Sequence, residues 1–228
     1  MSLIPEHRFP SLLQTLAIGV AAFLAMSHES AHATGPYASV GLPGISGGYA
    51  LSVNDKLGLR VEAGTTGTVN KTDSSGGIKF DGAFKYNRVG VFGDFFPFSG
   101  GFRITGGLTI NKAVLEMRSR FSGSSSVTVN GKTVTPASTD YFNGDLKYPT
   151  VMPYIGIGWG HQAKLTGFGF TADVGVSIGR PKLTVSTNLV GQGGITQDDV
   201  DAKTQEVYDD IGDMKLFPSA SVGVNFRY

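Results

Sequence analysis

Eight stretches of this chain alternate apolar and polar side chains with a period of two, and the connections joining them alternate in length. Such alternation puts successive side chains on opposite sides of a strand, so each stretch has one apolar face and one mixed face. The stretches are 37–42, 45–53, 57–64, 78–96, 102–118, 151–159, 168–178 and 214–228. The last is the cleanest. Ala220, Val222, Val224, Phe226 and Tyr228 share one face, against Ser219, Ser221, Gly223, Asn225 and Arg227. After the tight Pro43-Gly44 turn, three short connections (54–56, 97–101, 161–167) alternate strictly with three long ones (65–77, 119–145, 180–213). A meander with an even strand number, short turns on one side and long loops on the other, fits a closed barrel that crosses a membrane. A two-sheet sandwich has no reason for that asymmetry.

Periodicity alone does not say which face is inside. The mixed faces carry Arg60, Glu62, Lys85, Asp94, Arg103, Asp173 and Arg227 among Gly, Ser and Thr. Three features put this set in the lumen and the apolar set against lipid. The charges are roughly balanced in sign, as ion pairs filling a narrow interior would be. Most of the glycine load, 33 residues in 228, lies on the same faces, where a crowded interior needs small side chains. Aromatic residues gather at one level: Phe95, Phe102, Trp159 and Phe168, with Phe226 and Tyr228, all lie beside short turns or at the C-terminus and form a girdle. Phe80, Tyr86 and Tyr148 sit near the long-loop end. Within 78–96 the apolar phase slips near Asn87-Arg88, which predicts a β-bulge there.

The expected fold is therefore all-β: an eight-stranded antiparallel up-and-down transmembrane β-barrel. Eight strands leave an interior that side chains just fill. Isolated charges there are costly to desolvate, so Arg60, Arg103 and Arg227 are expected to pair with Glu62, Asp94 and Asp173. Those charges can serve as a gate or as a static plug; the plug is the expected reading.

The N-terminus reads as an address. Arg8 precedes an apolar stretch, 12–26, and Ala31-His32-Ala33 is a small–x–small cleavage site. That is the layout of a secretory signal peptide, a cleaved N-terminal signal helix too short to be a comfortable spanning helix. Residues 1–33 are assigned to it and 34–228 to the barrel domain, with a Gram-negative outer membrane as destination. The net charge of +1 gives no reason to expect a nucleic-acid partner. The absence of cysteine excludes disulfides and thiol chemistry.

Catalysis is not expected. His7, His28 and His32 fall in or beside the signal peptide, leaving His161 in a short turn, away from the long loops where a hydrolytic site would need it. No cofactor or resident metal is expected. Gly156, Gly158 and Gly160 are strand glycines, since a strand and not a helix follows them. Val129-Asn130-Gly131-Lys132-Thr133-Val134 carries the hairpin signal Asn-Gly. In the last loop Val200, Thr204, Val207 and Ile211 recur at helical spacing behind a Thr196 N-cap, with Asp198 and Asp199 in the first turn. That short helix is acidic through Asp198, Asp199, Asp201, Glu206, Asp209, Asp210 and Asp213. A solvated cap over the barrel mouth is the expected reading, ahead of a divalent-cation site or a partner-binding helix.

Ser221, Gly223, Phe226 and Tyr228 form a polar–x–Gly–x–x–aromatic–x–aromatic ending that resembles the C-terminal signal of bacterial outer-membrane barrels. The resemblance implies recognition by the barrel-assembly machinery. Tyr154-IGIGWG, Phe170-TADVGV, Asp94-FFPFSGGFRITGG and Lys215-LFPSASVGVNFRY extend it: the whole of 34–228 resembles small proteobacterial outer-membrane barrels of the OmpW/OmpA-like class. OmpA-like barrels imply envelope anchoring, here without a peptidoglycan-binding domain after Tyr228. OmpW-like barrels imply passage of small hydrophobic compounds through a lateral opening. The expected function is a structural envelope or surface protein with a side-chain-filled lumen, in contact with outer-membrane lipid and lipopolysaccharide. The alternatives are a narrow, porin-like channel for small solutes, hydrophobic ones included, and adhesion or partner binding through extracellular loops 119–145 and 180–213. Nothing in the sequence sets the oligomeric state.

Overall fold

The computed structural model describes residues 34–75, 78–121, 126–162, 166–211 and 215–228. The signal-peptide reading of 1–33 and the acidic Asp213 lie outside the described residues. The strands, in chain order, are β1 (Thr34–Leu42), β2 (Ile45–Ser52), β3 (Leu57–Ser75), β4 (Ile78–Phe95), β5 (Phe102–Phe121), β6 (Val127–Val129), β7 (Lys132–Val134), β8 (Tyr141–Lys147), β9 (Val151–Trp159), β10 (Gly167–Ile178), β11 (Lys182–Thr187) and β12 (Leu216–Arg227). One helix, α1 (Gln197–Ile211), precedes β12. No described helix is long and apolar enough to cross a membrane.

Eight antiparallel strands close a ring in the order β1-β2-β3-β4-β5-β9-β10-β12, with β12 returning to β1. The closing seam is short, from Tyr37↔Asn225 to Leu42↔Ala220. Alternation does what the sequence implied. Val222, Val224 and Phe226 of β12 point outward and are exposed, while Asn225 and Arg227 are buried inside. Across the ring, the outward set includes Leu108, Ile155, Ile157 and Val174, and the interior holds Arg60, Glu62, Asp94 and Arg103. This is the reverse of a water-soluble barrel. The aromatic girdle forms at the short-turn end. Phe102 pairs with Trp159, Phe168 pairs with Phe226, and the last two rings stand 5.0 Å apart. Phe168 is 86% exposed, a large apolar area that favours hydrocarbon over water.

The expected phase slip in the fourth strand does not occur. β4 pairs with β5 without interruption from Ile78↔Phe121 to Phe95↔Ile104, so its even-numbered residues face inward throughout. The irregularity lies on the neighbouring strand, between Thr65 and Gly67 of β3. Two assignments change with it. Tyr86 lies inside, fully buried, rather than in an outer girdle, and Lys85 lies outside, 44% exposed at its side chain and paired with Glu116. The pattern misled because aromatic rings also fill the upper lumen, so an aromatic face need not be a lipid face.

The long connections are built structures rather than loops. Segment 65–77 is mostly the upper half of β3, paired with β4 up to Ser75↔Ile78. Segment 119–145 holds the β6–β7 hairpin and β8, and segment 180–213 holds β11 and α1. The barrel wall carries a second storey. The lower half of β5 pairs with β9, and its upper half, Val114 to Arg120, pairs with β8. β11 pairs in turn with β8. Between the storeys the chain breaks at Tyr148-Pro149-Thr150 and at Gly179-Arg180-Pro181; proline supplies no N–H to a ladder and ends strands there. Above the mouth, Phe121, Val129, Leu189, Ile195 and Val200 bury one another, joined by Ile78, Phe142 and Val185. The upper storey therefore has its own apolar core.

Opposite this tall wall the barrel is low. β1 and β2 turn back at Pro43-Gly44, leaving Leu216–Ser219 of β12 and Gly67–Ser75 of β3 without β1 or β2 partners. The turn is apolar and exposed at Leu42 and Ile45, so the notch opens at the level of the apolar band.

Candidate functional site

The interior is a layered plug. Toward the short-turn end β3, β4, β5 and β10 each contribute one charge to a four-residue knot. Arg60 Nε donates to Asp94 Oδ2 at 2.6 Å, and its Nη2 lies 3.5 Å from Asp173. Arg103 Nη2 donates to Asp173 Oδ1 at 2.5 Å, with Nε 3.3 Å from Asp94. Thr105 adds a hydroxyl donor to Asp94 at 2.6 Å. Each carboxylate thus bridges two guanidiniums, and Arg103 is 0% exposed. At such burial, charges persist only when paired and hydrogen-bonded. The expected pairing of Arg60 and Arg103 with Asp94 and Asp173 is what the lumen contains.

Two other expected pairings resolve differently. Glu62 pairs with Arg88 and accepts from the Tyr37 hydroxyl at 3.1 Å. Arg88 was missed because the assumed phase slip hid its face. Arg227 has no carboxylate partner among the described residues; its guanidinium donates to the backbone carbonyl of Gln162. It closes the lower end of the plug beside Asn225, whose amide meets His161 Nδ1 at 3.3 Å. The His161 ring stands edge-on to Tyr37, 4.6 Å between centroids, so this histidine is packing in the barrel floor. The outward-facing Lys85 takes no part in the knot.

Neutral rings and small residues complete the fill. Phe92 lies under the Arg60 and Arg88 guanidiniums, at 5.2 and 5.8 Å, and edge-on to Tyr154. Higher up, Phe217 stacks on Tyr86 at 5.1 Å and meets Tyr148 edge-on at 5.0 Å. Glycines make the room. A Cβ at Gly158 would stand 2.8 Å from Asp173 Oδ1 and 2.9 Å from Arg103 Cζ, closer than real contacts allow. A cavity of about 30 Å³ remains under the Pro43-Gly44 turn, reaching Arg60, Glu62, Arg88 and Tyr154. That is room for a water or two.

Outside the mouth a second polar cluster ties the hairpin to the helix. Asn130 and Gly131 adopt positive φ, 47° and 78°, as a two-residue hairpin turn requires. The turn brings Asn130 Nδ2 to 2.9 Å from Asp199 Oδ1, and Lys132 Nζ to 2.6 Å from Asp199 Oδ2. Asp199 also accepts from the Thr196 backbone N–H and hydroxyl, at 2.8 and 2.7 Å, while Thr196 caps the helix. Lys132 first, then these other donors, hold the Asp199 carboxyl well below the usual carboxylate range. Of the expected helical stripe, Val200 enters the core and Val207 is half-buried. Asp198, Asp201, Glu206 and Asp209 face solvent, and no group of three or more metal-ligating side chains converges among the described residues.

An apolar-walled ring of eight antiparallel strands, with paired charges and rings on its inner face, defines a small up-and-down β-barrel. Two solved structures share that fold. The Acinetobacter baumannii CarO2 structure aligns with 86% of this chain and 99% of its own at 23% identity and a TM-score of 0.62. The Acinetobacter baumannii CarO structure aligns with 85% of this chain and 97% of its own at 22% identity and a TM-score of 0.57. No family model and no curated protein matches the chain.

Proposed function

We propose that the protein is an integral outer-membrane barrel with a structural or surface role, sealed to solutes by its own side chains. The observation that carries this reading is the Arg60–Asp94–Arg103–Asp173 knot, which crosses the lumen with Arg103 and Asp94 almost wholly buried. The apolar outer wall and the girdle at one end support the location, and the likeness to the two CarO structures supports the fold. The cavity of about 30 Å³ under the Pro43-Gly44 turn is too small for a solute. In planar bilayers the refolded protein should show no sustained open state, and liposomes containing it should not swell in small sugars or amino acids. A stable conductance in most insertions would overturn the reading.

The second reading is a narrow solute path, and the notch above the Pro43-Gly44 turn favours it. There the lumen reaches the side of the barrel at the level of the apolar band, and Ser219, Ser221 and Thr65 line the way inward. Any solute using it must displace the Glu62–Arg88 pair. Swelling that rises when Glu62 and Arg88 are both replaced by alanine would support that route.

A further inference from the structure

On the tall wall, four adjacent strand lines change from hydrocarbon to cation at one level. Going upward, Val89 gives way to Asn87 and Lys85 on β4, and Ile110 to Lys112 on β5. Val151 of β9 is followed by Lys147 of β8, and Ile178 of β10 by Arg180 and then Lys182 of β11. The register places Lys147 directly opposite Lys182, with Lys112 on the neighbouring diagonal through the Val114↔Lys147 pair. Side chains so placed lie within about 5 to 8 Å of one another. Lys112, Lys147, Arg180 and Lys182 are exposed.

The nearby carboxylates are already engaged. Glu116 holds Lys85 at 3.0 Å and Asp145 holds Arg118 at 2.6 Å. Lys112, Lys147 and Lys182 make no ion pair with a described residue. Like charges directly opposite on a sheet repel and destabilise it. Three unneutralised lysines on one face are therefore a cost to the free protein that an anion would remove. The low wall has no counterpart, since its turn is Leu42-Pro43-Gly44-Ile45.

We propose that this face docks the phosphorylated headgroup of an outer-leaflet lipid, the lipid A part of lipopolysaccharide. Phosphates sit among Lys112, Lys147 and Lys182, and acyl chains lie on the outward Val89, Ile110, Val151 and Ile178 below. The amphiphile is what the pattern selects. A soluble anion would use the cations but leave unexplained why apolar rows lie directly under each of them. The proposal rests on the outer-membrane reading above.

The test uses refolded protein in a neutral detergent, with native mass spectrometry counting bound lipid. Bisphosphorylated lipid A is compared with its dephosphorylated form. Wild type should retain the phosphorylated form selectively. Each lysine held near an anionic surface contributes roughly fivefold in affinity, so K112Q/K147Q/K182Q should bind roughly 100-fold more weakly. A control, K56Q/K71Q/K203Q, should bind as wild type does. A second readout separates binding from folding. In neutral detergent the first triple variant should melt no lower than wild type, because repulsion is relieved. With lipid A added, only wild type and the control should gain stability. Equal retention of the two lipids, or equal loss in both variants, overturns the proposal. Wild-type insertion into lipid vesicles is scored separately. If it fails, the membrane reading falls with the proposal; if it succeeds without phosphate selectivity, only the docking surface falls.

Discussion

A carboxylate that accepts from one guanidinium, lies against a second and takes a hydroxyl as well, as Asp94 does, cannot lose its charge without stranding its neighbours. Asp94→Asn keeps the volume but leaves Arg60 and Arg103 sharing Asp173 alone. Breaking a buried pair by removing one partner costs about 3 to 5 kcal/mol. The variant's unfolding midpoint in urea, measured in lipid vesicles, should fall accordingly. Asp173, 16% exposed at its side chain, is partly solvated, so Asp173→Asn should cost less. Gly158→Val tests the same knot from the wall. Its Cβ would intrude on Arg103 and Asp173, an overpacking worth about 1 to 3 kcal/mol. Six of the seven charges read from the sequence as lumen residues do face the interior: Arg60, Glu62, Asp94, Arg103, Asp173 and Arg227. Alternation fixes the face of a residue, and burial of a charge then demands a partner. Which partner depends on the stagger between strands, which no local pattern encodes, so Arg88 went unseen and Arg227 was given a carboxylate it does not meet. Tyr37, His161 and Asn225 were missed because neutral groups in a polar lumen carry no charge signal.

At the scale of elements, the upper storey was the least legible. β8 and β11 lie above the exposed apolar band, so their sequences lose the contrast that marks β9 and β10. The Asn130-Gly131 turn and the Thr196 cap were legible because each rests on local backbone chemistry. Their meeting at Asp199 was not, since it joins segments far apart in the chain. That junction predicts a pH dependence. Asp199 titrates in the folded cap below its unfolded value of about 3.9, so the unfolded state binds the proton first as pH falls. Its stabilisation is complete above the ordinary carboxylate range and is lost on acidification through the lowered folded value. Cleavage of the hairpin–helix cap by pepsin should rise steeply with acidification below about pH 4 in wild type. Asp199→Asn should be cleaved more readily at pH 4 and show a flatter dependence. If the two profiles coincide, Asp199 does not hold the cap.

The whole molecule closes at one of its two shortest seams. β1 meets β12 only from Tyr37↔Asn225 to Leu42↔Ala220, whereas β3 and β4 pair over nearly their full lengths. A barrel gains its protection from lipid only when no edge remains, because an unpaired N–H or C=O costs several kcal/mol in hydrocarbon. The short seam therefore needs support from outside the ladder, and the C-terminal rings supply it. Phe226 packs on Phe168 of β10 and lies 6.3 Å from Tyr228, whose hydroxyl is 2.6 Å from that of Tyr49 on β2. These contacts bracket the seam from both sides, so the aromatic ending has a packing use in addition to any recognition by assembly machinery. Two variants separate these roles. Phe226→Ala/Tyr228→Ala should lower both the yield of heat-modifiable barrel in cells and the rate of spontaneous insertion into pure lipid vesicles. Tyr49→Phe removes the hydroxyl contact with Tyr228 and leaves the ending intact, so it should slow insertion into vesicles mildly and leave cellular assembly near wild type. If the double variant inserts into pure vesicles at the wild-type rate but fails in cells, the rings act as a signal alone. If it assembles normally in both, the seam does not depend on them.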